Sequence, residues 1–355
     1  MNRLSSLDAM RGISILAMIP MHMFLFGVLW LGGGGGTTGG VSSELVVVTF
    51  EKPIATGLII FFFVTGMSLT FSLARRREKH SFFGMARHVI FRYGIYAVIG
   101  VFFELIMWML LWEGQMSLLD IVGALPVIIA GATFSGPIIG ISLTAIIAFP
   151  LIIKLSWKKL LAISFVLAPI VGVILYYVLL PQSSSLPQAS ILNPLIIEGW
   201  SILKSLPTML IGAAIGKLVL EGRDVKKSII IIGGVVSFAY AIIPTLYGSG
   251  MLHIVLAMWA YPHAILFTIC SSLFLFGLFR ILEARNIKLN SVKVLGRSPF
   301  LVYYGHFILF LTLFMLIGDN MTLGVLGGLM IFVIAVVWTL SYLYSKRRFG
   351  PPSEW

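Results

Sequence analysis

Long uncharged apolar runs recur along the whole chain, and most are about as long as a helix that crosses a bilayer. Such a helix needs roughly 20 mainly apolar residues. Of the 355 residues, 59% are hydrophobic and only 11% are charged, whereas a soluble domain carries about 25% charged residues. So few charges could not cover a surface in water, while lipid requires an apolar one. The sequence therefore predicts an all-α integral membrane protein.

Ten apolar runs qualify as membrane crossings when one long stretch counts as a single crossing. They are Gly12 to Leu31, Pro53 to Leu73, Val89 to Trp112, Leu118 to Ile153, Leu160 to Leu180, Leu206 to Leu220, Ser228 to Tyr247, Ala264 to Leu282, Pro299 to Ile317 and Leu323 to Tyr344. The fourth is too long for one simple span and is broken before Pro137. Residues 118–133 are therefore expected to form a short, tilted or re-entrant helix, and residues 137–153 the full crossing. We predict one polytopic domain over residues 1–355, with about ten transmembrane helices.

The basic residues indicate the orientation in the membrane. With the N-terminus inside, 23 of the 25 Lys and Arg fall in inner segments, and only Lys52 and Lys204 lie outside. The net charge of +12 does not point to nucleic acid, because the cations form short clusters between apolar runs rather than one basic face. We expect a multi-pass protein of the cell membrane, surrounded by lipid bilayer, with both termini in the cytoplasm. The oligomeric state is left open, a homodimer included.

Two histidines lie at similar depth in predicted crossings. His22 is 11 residues beyond Arg11 and His306 is 9 beyond Arg297, which places them about 16 and 14 Å from the cytoplasmic charges. Ionisable groups at this depth are costly and usually face a protein interior or a wet cavity. The matched depth predicts that both histidines line one cavity with a functional role. The alternative is a neutral imidazole hydrogen-bonded between helices, without chemistry.

Other polar groups near the predicted crossings allow two interpretations each. Glu104 lies in the outer half of its helix, where it could orient a histidine, bind an acceptor or hydrogen-bond between helices. Asp8 and Arg11 are three residues apart on one helical turn and can pair there. The single cysteine, Cys270, excludes an intrachain disulfide and any CxxC-type metal site. No metal site is predicted.

An inner cluster of arginines is larger than orientation in the membrane requires. Its members are Arg75, Arg76, Arg77, Arg87 and Arg92. Guanidinium groups bind phosphate with two parallel hydrogen bonds, so the cluster suits a phosphorylated ligand that arrives from the cytoplasm. Anchoring to anionic lipid headgroups is the alternative interpretation.

Four short motifs resemble those of a known superfamily. They are Arg3-Leu4 with Leu7-Asp8-Ala9-Met10-Arg11-Gly12-Ile13 and His22, then Phe61-Phe62-Phe63-Val64-Thr65-Gly66, then Met209-Leu210-Ile211-Gly212-Ala213-Ala214-Ile215-Gly216-Lys217, and then Leu301-Val302-Tyr303-Tyr304-Gly305-His306. The first resembles the opening of the transmembrane acyltransferases, a superfamily that includes acyltransferase family 3 and heparan-alpha-glucosaminide N-acetyltransferase. The others are similar to the second, a middle and a late helix of that group.

The resemblance implies an enzyme that takes an acyl group, usually acetyl, from acyl-CoA on the cytoplasmic side. It passes the group to a hydroxyl or amine acceptor on the outer side, such as a sugar or an envelope glycoconjugate. By resemblance, His22 matches the histidine in the first helix of acyltransferase family 3. The heparan branch instead carries its catalytic histidine on the following loop, where this chain has none.

On these terms His22 is the predicted general base, and His306, with Tyr304 near it in sequence, orients the base or donates a hydrogen bond to the thioester carbonyl. Glu104 completes the predicted catalytic set. Arg11 joins the inner arginine cluster in binding the CoA phosphates. A covalent acetyl-histidine remains open beside direct transfer. The alternatives to an enzyme are a transporter with histidines as proton or substrate sites, and a membrane scaffold without catalysis.

Overall fold

The computed structural model describes residues 5–33, 43–111, 137–174, 202–223, 260–287, 289–317 and 322–349. In this part of the chain the regular elements are all helices. They are α1 (Ser5–Gly33), α2 (Ser43–Arg77), α3 (Phe82–Leu111), α4 (Pro137–Lys154), α5 (Trp157–Ile174), α6 (Ile202–Leu220), α7 (Ala260–Ala284), α8 (Asn290–Arg297), α9 (Pro299–Ile317) and α10 (Leu323–Phe349). The all-helical prediction is confirmed.

Each described helix except α8 overlaps a predicted apolar run, but α2 begins at Ser43, ten residues before the predicted Pro53, and α3 begins at Phe82, seven residues before Val89. Helix α9 has the same limits as the predicted run Pro299 to Ile317, and α4 begins at Pro137, where the break was expected. Proline suits the first turn of a helix, because its missing N–H has no partner there in any case. The run from 228 to 247 and the predicted re-entrant segment 118–133 lie outside the described residues.

Three of the described helical segments are long and apolar enough to cross a membrane: Phe82–Phe103, Pro299–Ile317 and Gly324–Arg348. Two further apolar helices are shorter, Ile138–Lys154 and Ser205–Leu220. Large apolar side chains on α3 are exposed, with Phe91 at 70% and Phe102 at 63%. Exposed apolar patches of this kind mark surfaces that bind a membrane or a partner.

The chain divides into two compact units, Met1–Phe61 with Leu275–Trp355, and Phe62–Phe274. Helices α2 and α7 each contribute residues to both units. In the first unit, α1 packs most extensively on α8 and also contacts α9 and α10. Helix α10 packs in turn on α8 and α9. The first unit therefore brings α1, at the start of the chain, against helices from its last quarter.

In the second unit, α6 packs against α4 and α5, and α3 packs against α4. Two glycines allow α2 and α6 to approach at backbone distance. A Cβ at Gly66 would lie 1.9 Å from the carbonyl oxygen of Met209, and one at Gly212 would lie 2.0 Å from that of Phe63. The second-helix motif and the glycine-spaced middle helix therefore pack on each other.

Helix α8 was not predicted from the sequence, because eight residues are too few for an apolar run of membrane length. Its residues Val294, Leu295 and Gly296 are buried, while Ser291 is exposed. This one-sided burial is typical of an amphipathic helix. The alternation of apolar and polar residues after Asn290 is the signal that could have revealed it.

Candidate active site

The site is built around two histidines on two helices of the first unit. His22 lies on α1, which continues as one helix through Pro20, and His306 lies on α9. Nδ1 of His22 and Nε2 of His306 are 3.0 Å apart, a hydrogen-bond distance. The two rings are nearly parallel, with an interplanar angle of 6°. His306 is fully buried and His22 is 8% exposed. The two histidines predicted to share a depth are therefore in direct contact.

A backbone carbonyl fixes which ring nitrogens carry protons. Nδ1 of His306 lies 2.8 Å from the carbonyl oxygen of Val302, one turn earlier on α9. A carbonyl oxygen only accepts, so Nδ1 of His306 donates this bond. In a neutral imidazole the other nitrogen, Nε2, is then an acceptor, and Nδ1 of His22 must donate to it. Neutral His22 consequently has its lone pair on Nε2, the nitrogen that can take a proton.

Aromatic side chains pack against both imidazoles. The Phe307 ring centroid is 4.4 Å from that of His22 and 4.5 Å from that of His306. The Tyr303 ring stands perpendicular to the His306 ring at 6.0 Å. These contacts exclude water from the paired rings, and the low local dielectric strengthens the hydrogen bond between them.

Tyr303, and not only Tyr304, belongs in the description of the site. Residues three or four apart on a helix share a face, whereas residues two apart do not. Tyr303 is therefore placed to contact both His306 and Phe307, while the ring of Tyr304 contacts those of Phe300 and Tyr303. The helical spacing around His306 could have identified Tyr303 from the sequence.

A buried carboxylate joins the two chain segments that carry the histidines. Asp8, at the start of α1, accepts a 2.9 Å hydrogen bond from Nη1 of Arg11, as the sequence predicted. Its second oxygen lies 3.7 Å from Nε of Arg297, at the end of α8, just before α9 begins. The Asp8 side chain is 2% exposed and that of Arg297 is 9% exposed. Removing one partner of a buried ion pair costs about 3–5 kcal/mol.

The cationic character of this region extends to Lys293 on α8. Burial lowers the pKa of its ammonium group, Glu283 and Asp8 oppose that shift, and the positive charge of Arg297 adds to it. Arg11 was predicted to bind a phosphorylated ligand, and its guanidinium contacts Asp8 here.

Glycines set the distance between α1 and α8. A Cβ at Gly12 would lie 1.9 Å from the carbonyl oxygen of Val292, and one at Gly296 would lie 1.8 Å from that of Asp8. Contact this close is incompatible with any side chain unless the backbones shift. Asp8 and Gly12 thus give the opening motif a structural role, since both hold α1 against α8. Sequence analysis found the motif but not this partner.

The remaining predicted residues are not gathered at the histidine pair by the contacts that the structure gives. Glu104 lies on α3, and its side chain is outside the described part of the structure. In the inner cluster, Arg75 Nε donates to the carbonyl oxygen of Phe71 at 3.4 Å, and Arg92 Nε donates to the Tyr96 hydroxyl at 3.3 Å. The other three lie on α2 and α3, where Arg76 is half-buried and Arg77 and Arg87 are exposed.

Among the described side chains, no three His, Cys, Asp or Glu residues are arranged to hold a metal ion. At the paired histidines, an imidazole nitrogen with a lone pair can take part in proton transfer or in nucleophilic attack.

Comparison with known proteins assigns the class. The model of acyltransferase family 3, described as an acyltransferase domain, matches residues 4–342. The chain belongs to acyltransferase family 3, and it is a membrane acyltransferase. The resemblance inferred from the short motifs is confirmed. No curated protein and no solved structure matches the chain.

Proposed function

We propose that this acyltransferase moves an acetyl group from cytoplasmic acetyl-CoA to a hydroxyl or amine acceptor on the outer side of the cell membrane. The acceptor is a sugar or an envelope glycoconjugate. The whole chain acts as one domain, with both termini in the cytoplasm. The observation that carries the proposal is the 3.0 Å contact between the buried rings of His22 and His306 in a member of acyltransferase family 3.

His22 is the general base of the proposed reaction. Its Nε2 takes the proton of the acceptor while the acceptor oxygen or nitrogen attacks the thioester carbon. The carbon–sulfur bond then breaks, and the CoA sulfur leaves with the proton that His22 returns. A positioned base of this kind contributes about 10² to 10⁴-fold to the rate.

His306 orients the base and stabilises it after proton uptake. The bond from His306 Nδ1 to the Val302 carbonyl holds Nε2 as an acceptor toward His22. When His22 becomes an imidazolium, its Nδ1–H still donates to this nitrogen, and a hydrogen bond from a charged donor is about twice as strong as a neutral one.

The same geometry supports a covalent route. Nε2 of His22 would attack the thioester carbon, and the carbon–sulfur bond would break with CoA leaving as a thiolate. The acceptor would then attack the acetyl carbon, the bond from that carbon to Nε2 would break, and the acceptor's proton would pass to the CoA thiolate. The two routes differ in whether acetylated protein accumulates when the acceptor is absent. In both routes the phosphates of the donor are bound by the inner arginines Arg75, Arg76, Arg77, Arg87 and Arg92.

The test is acetyl transfer by the purified protein. Incubation with isotope-labelled acetyl-CoA and a membrane or cell-wall extract, followed by mass spectrometry, should reveal labelled acceptor. His22→Ala should lower turnover about 10² to 10⁴-fold with the protein still folded. His80→Ala, which alters an exposed histidine in the turn between α2 and α3, is the matched control and should behave as wild type. Unchanged turnover in His22→Ala would remove the base from the mechanism.

A further inference from the structure

The second unit contains a cavity of about 530 Å³ that is formed by the ends of five helices. Lining residues come from the C-terminal ends of α2, α4 and α6 and from the N-terminal ends of α3 and α5. Its interior is apolar, with Leu73, Ile152 and Leu220 among the lining residues. Exposed Arg77 and Glu221 are also part of the lining, so the cavity opens at the surface. The size lies in the range of small-molecule sites, about 300–1,000 Å³.

The charged side chains of this lining are two cations, Arg77 and Lys217, and two carboxylates, Glu78 and Glu221. Arg77 and Lys217 contribute two positive charges to the cavity. Ser156 precedes the first turn of α5 and its carbonyl oxygen accepts from Leu160 N–H. The positive ends of the α3 and α5 helix dipoles therefore face this region together with the negative ends of α2, α4 and α6. Of the two carboxylates in the lining, that of Glu221 is bound by Arg223 at 3.1 Å.

An indole stands beside these cations. Trp157 lines the cavity at the first position of α5. The guanidinium carbon of Arg223 lies 5.5 Å from its ring, and the ammonium of Lys158 lies 5.7 Å from it. A ligand with an aromatic base and several phosphates can stack on the indole and bind the cations together.

We propose that this cavity binds the adenine-nucleotide end of the acyl-CoA donor, with the base on Trp157 and the phosphates at Arg77 and Lys217. The proposal rests on the proposed function for the identity of the donor. It adds Trp157 and Lys217 to the arginines that the sequence indicated. The apolar interior is suited to the less polar arm of the same donor.

Adenosine 3′,5′-bisphosphate is the probe, because it carries the base and phosphates without a thioester. Binding is followed as the rise in Tm of the detergent-purified full chain with probe concentration. Wild type should be stabilised, and Trp157→Leu and Arg77→Gln should need about tenfold more probe for the same rise. Trp157→Phe keeps an aromatic ring and should retain most of the binding. Arg347→Gln, at the exposed end of α10, is the charge control and should match wild type.

Absence of a probe effect on wild type, or equal probe dependence in all variants, would overturn the assignment. Arg77→Gln is chosen over a Lys217 variant because Lys217 also donates to the Leu155 carbonyl oxygen and so supports the end of α4. A second arm compares nanodiscs of phosphatidylglycerol and phosphatidylcholine. If Trp157 and Arg77 govern stabilisation by the anionic lipid and not by the probe, the occupant is a lipid headgroup and the assignment is wrong.

Acetyl-transfer kinetics separate this assignment from the proposed function. If the cavity binds the donor, Trp157→Leu raises KM for acetyl-CoA about tenfold and leaves kcat near wild type. If acetyl transfer is observed and neither Trp157→Leu nor Arg77→Gln changes the KM for acetyl-CoA, the cavity assignment is wrong and the proposed function stands. If the bisphosphate probe binds in a way that depends on Trp157 but wild type transfers no acetyl group, the proposed function is wrong and the cavity assignment stands.

Discussion

The hydrogen bonds at the histidine pair give each residue a distinct role as donor or acceptor. The carbonyl oxygen of Val302 accepts a hydrogen bond from Nδ1 of His306, so Nε2 of His306 is left as an acceptor. This nitrogen accepts from Nδ1 of His22 and thereby sets the tautomer of His22. A chain of this kind needs no ionised partner to orient the base, which suits a buried site where an unpaired charge would be costly. His22 is oriented by its hydrogen bond to His306 and, through it, by the carbonyl of Val302.

Substitutions at His306 test this order. His306→Ala removes the acceptor for Nδ1–H of His22, so kcat should fall about 10²-fold with KM for acetyl-CoA little changed. His306→Gln supplies an amide oxygen that can accept the same bond and should recover part of the loss. Steady-state kinetics on the folded variants provide the measurement. Equal activity of the two variants would contradict a role for His306 in orienting the base.

At the scale of elements, glycines decide which helices can meet at backbone distance. In the first unit Gly12 and Gly296 let α1 approach α8, and in the second unit Gly66 and Gly212 let α2 approach α6. Small residues at helix contacts are typical of membrane proteins, where close van der Waals packing drives association. Because α8 leads directly into α9, the contact between α1 and α8 also constrains the position of His306 relative to His22.

The comparison of Gly12→Ala with Gly305→Ala tests the packing role. The added Cβ at Gly12 would lie 1.9 Å from a backbone oxygen, whereas nothing lies within 4 Å of one at Gly305. Overpacking should destabilise Gly12→Ala by about 1–3 kcal/mol or more. Alanine at position 305 should leave stability unchanged or raise it by about 0.5–1 kcal/mol. Thermal unfolding in detergent gives both values, and similar stability of the two variants would refute the close contact.

For the whole molecule, apolar exposure and the distribution of cations point to a protein that lies in lipid. Helix α3 exposes large apolar side chains such as Phe91 and Phe102, and α2 and α10 each end in a run of basic residues. From the positive-inside rule we expect both of those ends in the cytoplasm. We therefore predict that the turn after α2 lies inside and the start of α10 outside.

Cysteine labelling tests this orientation. The native sequence has one cysteine, Cys270, which is buried, so the background should be low. A membrane-impermeant thiol reagent should label Gly324→Cys in intact cells. It should label Lys79→Cys, in the exposed turn between α2 and α3, only after permeabilisation. Labelling of Lys79→Cys in intact cells would reverse the predicted topology.

Local properties of the sequence were enough to predict the longer helices and the family of the protein. Apolar content and helix-breaking prolines are local properties, so the limits of α9 and the start of α4 at Pro137 could be predicted without knowledge of any contact. The depth of His22 and His306 followed from counting residues along each helix. Short motifs sufficed to indicate the family that the whole-chain match then confirmed.

Packing between helices fixes which helix faces meet, and local patterns could not predict it. Rotation of α1 and α9 about their axes brings the two imidazoles to 3.0 Å, and places Arg297 on Asp8. The contact of Gly12 with α8 likewise joins residues far apart in the sequence. Each of these contacts depends on the crossing angle and register of a helix pair. Those quantities arise from packing of side chains across the interface, and no periodicity within a single helix encodes them.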